Sequence, residues 1–249
     1  MKLYIVSFLF MISNCCGSVD IGKYLKTCER NSPDVNDCLV EAIQNGISAM
    51  AGGIKDIGVP SIDPFYQKEV RFDYKNNLIK AKMAAKNSWV RGLKDSTVKD
   101  VRLRADDDSF YMEVDMFSPA ISVDGKYEGG GSYNDLNVTA YGDYVTNMTD
   151  LVYTWKMEGK PETIGDDVFV RITSFYMRPD VSNMHVYLSN DSPNSKDLTD
   201  LGVKLVNENW RLLYKELLPF AQSNWNKIGI KVANKIFLKV PYNKLFPNN

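Results

Sequence analysis

The chain has one histidine in 249 residues, His185, so it holds a single side chain of the type most often used as a general base. Hydrolysis through a serine, threonine or cysteine nucleophile needs a base within hydrogen-bond reach. His185 lies in a run whose alternate positions are Val186 and Leu188. It reads either as a polar group turned toward a ligand's ester, acid or epoxide, or as a surface or hydrogen-bonded strand residue. A metal centre is left with carboxylates as ligands. Asp106, Asp107 and Asp108 are adjacent and point in different directions, which favours a solvated turn over a weak calcium site. Gly129, Gly130 and Gly131 lack the following helix start and the lysine of a phosphate cradle, and read as a tight turn or bulge. The sequence therefore predicts no catalytic residue, no metal and no cofactor. Chemistry must come from apolar contact.

Lys and Arg number 30 against 31 for Asp and Glu, which gives no net field to hold nucleic acid. With 44% hydrophobic and 24% charged residues, the chain has the make-up of an ordinary globular protein. Met1 to Gly17 reads as a secretory signal: Lys2 gives the positive start, Tyr4 to Ile12 the apolar stretch, and Cys15 and Gly17 the small residues before a cut at Ser18. The other reading is an N-terminal strand. Removal of the signal leaves Cys28 and Cys38 as the remaining cysteines, expected to form one disulfide in an oxidising compartment, although two free buried thiols are the alternative. Of the sequons at Asn137, Asn147 and Asn190, the first two are the expected glycosylation sites, because Pro193 follows the third. No later segment approaches the roughly 18 apolar residues of a membrane helix, so a secreted protein without stable membrane insertion is predicted.

The elements follow from periodicity. Ser32, Pro33 and Asp34 begin a helix that Val35, Leu39, Ile43, Ile47 and Met50 continue until Gly52 and Gly53. From about residue 66 to 188 the period falls to two, the mark of antiparallel strands with one wet face and one dry face. Turn signals stand at 75–77, 105–108, 124–125, 129–131, 158–161 and 191–193. Near the C-terminus Val206, Trp210, Leu213, Leu217, Ala221, Trp225, Ile228, Val232 and Ile236 recur at steps of three and four. They predict one long helix on the order of 45 Å, which Pro219 would bend. An apolar rod of that length has to be covered by something elongated. The predicted fold is one α+β domain over 18–249: a strongly curved antiparallel β-sheet wrapped around one long C-terminal α-helix, with a short N-terminal helix stapled by the disulfide.

The residues Cys28-Glu29-Arg30, Asp37-Cys38-Leu39, Gly58 to Pro64, Gly125 to Gly129 with Pro119, Val206 to Trp210, Leu217-Leu218-Pro219 and Val240 to Pro247 resemble, in that order, the takeout and juvenile hormone binding protein family of arthropods. The resemblance covers nearly all of the chain after the signal. It implies a bent sheet around a long helix, with a tunnel for one elongated apolar ligand, and a carrier without catalysis. The absence of any cysteine after Cys38 is similar to the takeout-like branch, whereas hormone binders proper usually carry a second disulfide. Candidate lining residues are Trp89, Phe110, Met112, Val114, Met116, Tyr153, Trp155, Val170, Ile172, Trp210 and Trp225, each of which could equally serve as plain core. A small hydrophobic ligand is the expected partner, with a receptor or other extracellular protein as a further one. A secreted interaction protein of the same fold with a filled interior is the alternative function. An esterase acting on the same lipids comes third.

Overall fold

The computed structural model describes residues 21–75, 79–133, 136–191 and 196–248. The predicted signal segment Met1–Gly17 and the predicted turns at Asn76-Asn77 and Ser192-Pro193 lie outside the described residues. Helix α1 (Val35–Ala49) is followed by strands β1 (Phe65–Lys75), β2 (Ile79–Arg91), β3 (Thr97–Ala105), β4 (Phe110–Tyr133), β5 (Leu136–Ile164), β6 (Asp167–Met177) and β7 (Asp180–Leu188). Helices α2 (Lys196–Glu208), α3 (Trp210–Phe237) and α4 (Tyr242–Leu245) close the chain. Every strand pairing is antiparallel, the sheet is curled, and Cys28 and Cys38 are joined as a disulfide beside α1.

The long strands β4 and β5 run the length of the sheet and change neighbours on the way. Phe110–Phe117 of β4 pairs with β3, and Ser122–Tyr133 pairs with β2. Likewise Trp155–Ile164 of β5 pairs with β6, and Tyr144–Val152 with β7. The exchange happens where both strands skip one step of alternation. Ser118 and Leu151 face the core, then Ile121 and Met148 do, while Pro119, Ala120, Thr149 and Asp150 between them are exposed. Asp150 takes a positive φ of 53° there. Because each strand takes the same extra residue, their pairing stays in step while the inward set changes parity.

Glycines predicted to make turns turn out to lie inside these strands. Gly125, Gly129 to Gly131 and Gly159 are all hydrogen-bonded strand residues, and the β5–β6 hairpin turns at Gly165 and Asp166. Close approach explains two of them: a Cβ on Gly125 would meet the Lys86 carbonyl at 2.9 Å, and one on Gly159 the Arg171 carbonyl at 2.6 Å. The predicted long helix is α3, while Val206 at its expected start belongs to α2, which ends before Asn209, whose N–H and side-chain amide both donate to the Leu205 carbonyl. The first helix begins at Val35, two residues later than its sequence signals suggest, with Ser32 Oγ accepting from the Asp34 N–H before it.

The helices are fastened to the sheet's free edges by amide side chains. On α3 and α2, Asn234 bonds both the N–H and the carbonyl of Ile172, Asn226 Oδ1 accepts from the Met177 N–H, and Tyr214 donates to the Pro179 carbonyl. Arg211 then donates to the Ser182 carbonyl, and Asn207 bonds both backbone groups of Val186. From Asn234 to Asn207 is about 40 Å of helix, and from Ile172 to Val186 about 46 Å of strand, so the two run side by side along the whole β6–β7 edge. On the opposite edge, Asn36 Oδ1 of α1 accepts from Leu103 N–H, while Gln44 accepts from Val98 N–H and donates to the Ser96 carbonyl. Edge groups that would otherwise invite another strand are thus satisfied within the fold. On β1 the charges of Lys68, Glu69, Arg71 and Asp73 serve the same end.

Candidate ligand-binding site

The inner face divides at the kink of β4 and β5. In the half built from β3 to β6 the core is solid: Phe110, Met112, Val114, Met116, Tyr153, Val170 and Ile172 are all 6% exposed or less. Phe110 stands 5.2 Å from the ring of Phe237 and 5.6 Å from Phe246, and the tail residues Val240, Tyr242 and Leu245 complete this cluster. Trp155 and Trp210 pack against its margin, while Trp225 is half-buried on α3. These seven closed-off residues therefore act as core in this conformation.

Trp89 is placed elsewhere. A bulge between Lys86 and Trp89, with Asn87 at φ 51°, adds one residue to β2 and reverses its alternation. Ser88 and Val90 turn inward, and Trp89 falls opposite Asp124 on the face that carries Arg91, Ser122 and Asn147. There it packs on Tyr66 at 4.8 Å and is 37% exposed. It therefore points away from the inner surface. His185 shares that outer face, opposite Asn147 and 4.3 Å from the ring of Tyr187, so the surface reading holds for it. Asn147 is exposed, with Oδ1 accepting from Ser122, while the side chain of Asn137 lies outside those described.

Beyond the kink, apolar groups face inward without being closed over. Val70 and Phe72 of β1 stand opposite Ala85 and Met83 of β2, and Met83 is 44% exposed although it shares its face with buried Tyr127. Val123, Met148, Met184 and Val186 are half-buried on the same inner surface. On α3 the line that meets the sheet is Tyr214, Leu218, Asn226, Gly229, Ala233 and Phe237, where Gly229 lets the helix lie directly on the ring of Phe175. The predicted stripe Leu213, Leu217, Ala221 and Trp225 lies beside this line and is only partly covered. Leu217 is 41% and the neighbouring Phe220 39% exposed. Sequence alternation marked Met83 as inward. Its openness had no signal, because exposure depends on what stands opposite.

Several polar groups on the inner side are neutral hydroxyls that pair with one another or with the backbone. Ser96, Ser118 and Tyr153 form a buried hydroxyl cluster, with Ser96 to Ser118 at 2.7 Å and Ser118 to Tyr153 at 2.9 Å. Burial pushes the Tyr153 hydroxyl above its ordinary pKa. Tyr144 bonds Ser88 at 2.7 Å and Tyr127 donates to the Ser189 carbonyl. Among the described residues no His, Asp or Glu side chain is hydrogen-bonded to these hydroxyls. Asp106 accepts from Asp108 and Ser109 within its own turn, and among the described residues no group of His, Cys, Asp and Glu is arranged to hold a metal ion.

Charge is concentrated on the outer face of β3 to β5. Arg102 bonds Glu113 and Asp115, each at 2.8 Å, and Lys156 reaches Glu113 at 2.7 Å. Lys156, the Tyr111 hydroxyl and Arg102 hold the Glu113 carboxyl down at about 2, from 4.5. A carboxyl depressed on folding stabilises the fold above its unfolded pKa and loses that contribution as pH falls through the folded one. Glu113→Gln is therefore expected to flatten the fall in stability between pH 4.5 and pH 2, as measured by urea unfolding at stepped pH.

The sequence matches the family model for haemolymph juvenile hormone binding protein over residues 6–247. The chain belongs to this family. Among its members, the circadian clock-controlled protein daywake of Drosophila yakuba is 21% identical over 228 residues, covering 89% of this chain and 86% of the relative. The Drosophila melanogaster protein of the same name is 21% identical over 234 residues, with the same two shares covered. The crystal structure of Epiphyas postvittana Takeout 1 superimposes with a TM-score of 0.73 at 21% identity, covering 90% of this chain and 100% of that one. The curled sheet, the long C-terminal helix and the N-terminal disulfide are thus the family's fold. Its description is of binding, not of a reaction, and among the described residues no helix is long and apolar enough to cross a membrane.

Proposed function

We propose that this chain is a secreted carrier that holds one elongated apolar molecule, a terpenoid, fatty acid or similar lipid, between the first half of α3 and the inner face of β1, β2, β4, β5 and β7. The observation that carries this reading is the contrast between the two halves of one inner surface. The same kinds of side chain are sealed around Phe110 and left open around Met83, Leu217 and Phe220. Folding alone would have closed both, since each exposed Å² of apolar surface forgoes roughly 25 cal/mol. A ligand covering several hundred Å² would recover on the order of 8 to 10 kcal/mol before association costs, enough for micromolar binding. Membership in a family described by hormone binding supports the ligand class. The want of a second disulfide leaves juvenile hormone itself one candidate among several. The leading segment supports secretion, with Asn147 and Asn137 as the glycan sites.

Leu217→Trp tests the location, because it adds bulk where the helix flank is open. It is expected to weaken uptake of a fluorescent apolar probe at least tenfold with the melting temperature unchanged within about 2 °C. Unchanged uptake would place the ligand elsewhere or nowhere.

A further inference from the structure

Near the crossing of α3 with the end of β6, two neutral N–H donors, on Gln222 and Trp155, are poorly satisfied, and Asn226 touches the residue beside each, Gln222 itself and Met177. Nε2 of Gln222 is buried and has no hydrogen-bond partner among the described residues. One turn along, Asn226 accepts from the Met177 N–H at a long 3.3 Å or, turned over, donates to the Phe175 and Gln222 carbonyls at 3.1 and 3.2 Å. Met177 in turn stands opposite Trp155 on β5, whose indole N–H has, among the described residues, the Met177 sulfur as its acceptor at 3.2 Å. A thioether is a weak acceptor on a flexible stem, and a buried amide donor left unpaired costs about 1 to 3 kcal/mol.

The deficit has a definite sign. Two N–H donors, on Gln222 and Trp155, lack a good oxygen, and among the described residues no cationic side chain is hydrogen-bonded to Gln222, Asn226 or Trp155. From this we infer that Gln222, Asn226 and Trp155 form the polar subsite of the carrier, and that they take an uncharged acceptor oxygen, a ketone or ester carbonyl, at the end of an apolar chain. The ligand's oxygen would replace the weaker Met177 sulfur as acceptor for the Trp155 N–H. A carboxylate is disfavoured because burying its charge without a cationic partner costs more than these amides return. The inference rests on the carrier reading, and it adds to that reading the class of functional group recognised and the side chains that recognise it.

The test is displacement of a fluorescent apolar probe from the full-length protein by 2-tridecanone and by tridecane, which differ in one carbonyl. Wild type is expected to bind the ketone about three- to tenfold more tightly, the value of one neutral hydrogen bond. Gln222→Leu should abolish that preference, leave tridecane binding unchanged and leave the melting temperature equal or higher, because an orphaned donor has been removed. Gln222→Met, close to glutamine in length, should do the same. Tridecane and ketone bound equally by wild type, or a preference kept in both variants, overturns this subsite and leaves the carrier standing. If wild type takes up neither compound and no probe, the carrier reading and the subsite fall together.

Discussion

Phe110→Ala is expected to lower stability by about 3 to 5 kcal/mol, the cost of emptying a buried aromatic site. The ring of Phe110 is the meeting point of Phe237, Phe246 and Tyr242, so its loss opens the junction of β4, the end of α3 and the C-terminal tail at once. In a domain of this size that corresponds to a fall in melting temperature on the order of 10 °C. The tail cannot collapse freely into the gap. Arg30 ties it from outside, lying 4.9 Å over the Tyr242 ring with its N–H donating to the Pro247 carbonyl. Thermal unfolding checks the magnitude, and probe uptake at 10 °C by the surviving folded fraction should match wild type, because the altered site lies in the sealed half. A loss below about 1 kcal/mol would mean that this cluster is not the packed core.

Asn234→Ala should cost about 2 to 4 kcal/mol, more than the loss of a neutral hydrogen bond in most settings. The side chain satisfies both backbone groups of Ile172, a residue 1% exposed, and alanine leaves an N–H and a carbonyl with neither partner nor water. Urea unfolding gives the free energy, and hydrogen exchange gives the place. The Ile172 amide should lose protection in the variant while amides on β1 and β2 keep theirs. Asn207→Ala repeats the pair of losses at Val186, but that strand is half-buried and open to water, so its effect should be the smaller of the two.

The periodicities of the sequence laid out most of this architecture. Period two along β1 to β7 and period near four in the helices depend on neighbours within one segment, and local spacing records them faithfully. The disulfide was legible for the same reason, with two cysteines left after the leading segment. What failed were features in which two distant segments adjust to each other. The matched kink at Pro119 and Asp150, and the bulge at Asn87, change which side chains face inward, and each depends on a partner strand. Trp89 was assigned inward on its residue type, and the bulge turns it out. Glycines at 125, 129–131 and 159 were read as turns because glycine serves turns and close approach equally well in one dimension.

The candidate lining residues fall mostly in the closed half of the inner face. Large apolar residues on clean alternation, such as Phe110 to Met116, mark the best-packed half, while an open half needs a mismatch between facing surfaces that no single strand displays. One signal was available and went unread: amides within otherwise apolar helix faces. Asn36 and Gln44, and again Asn226 and Asn234, stand eight residues apart on their helices, and each pair reaches strand residues five apart. Polar residues recurring at helical spacing on a buried side report a sheet edge to be capped.

Native mass spectrometry of the protein secreted from eukaryotic cells and purified without organic solvent tests the carrier reading most directly. The expected spectrum shows an added mass of a few hundred daltons at up to one equivalent per chain, removed by extraction and restored on incubation with lipid. A spectrum of bare protein before extraction, together with no uptake of any apolar compound afterwards, would contradict it.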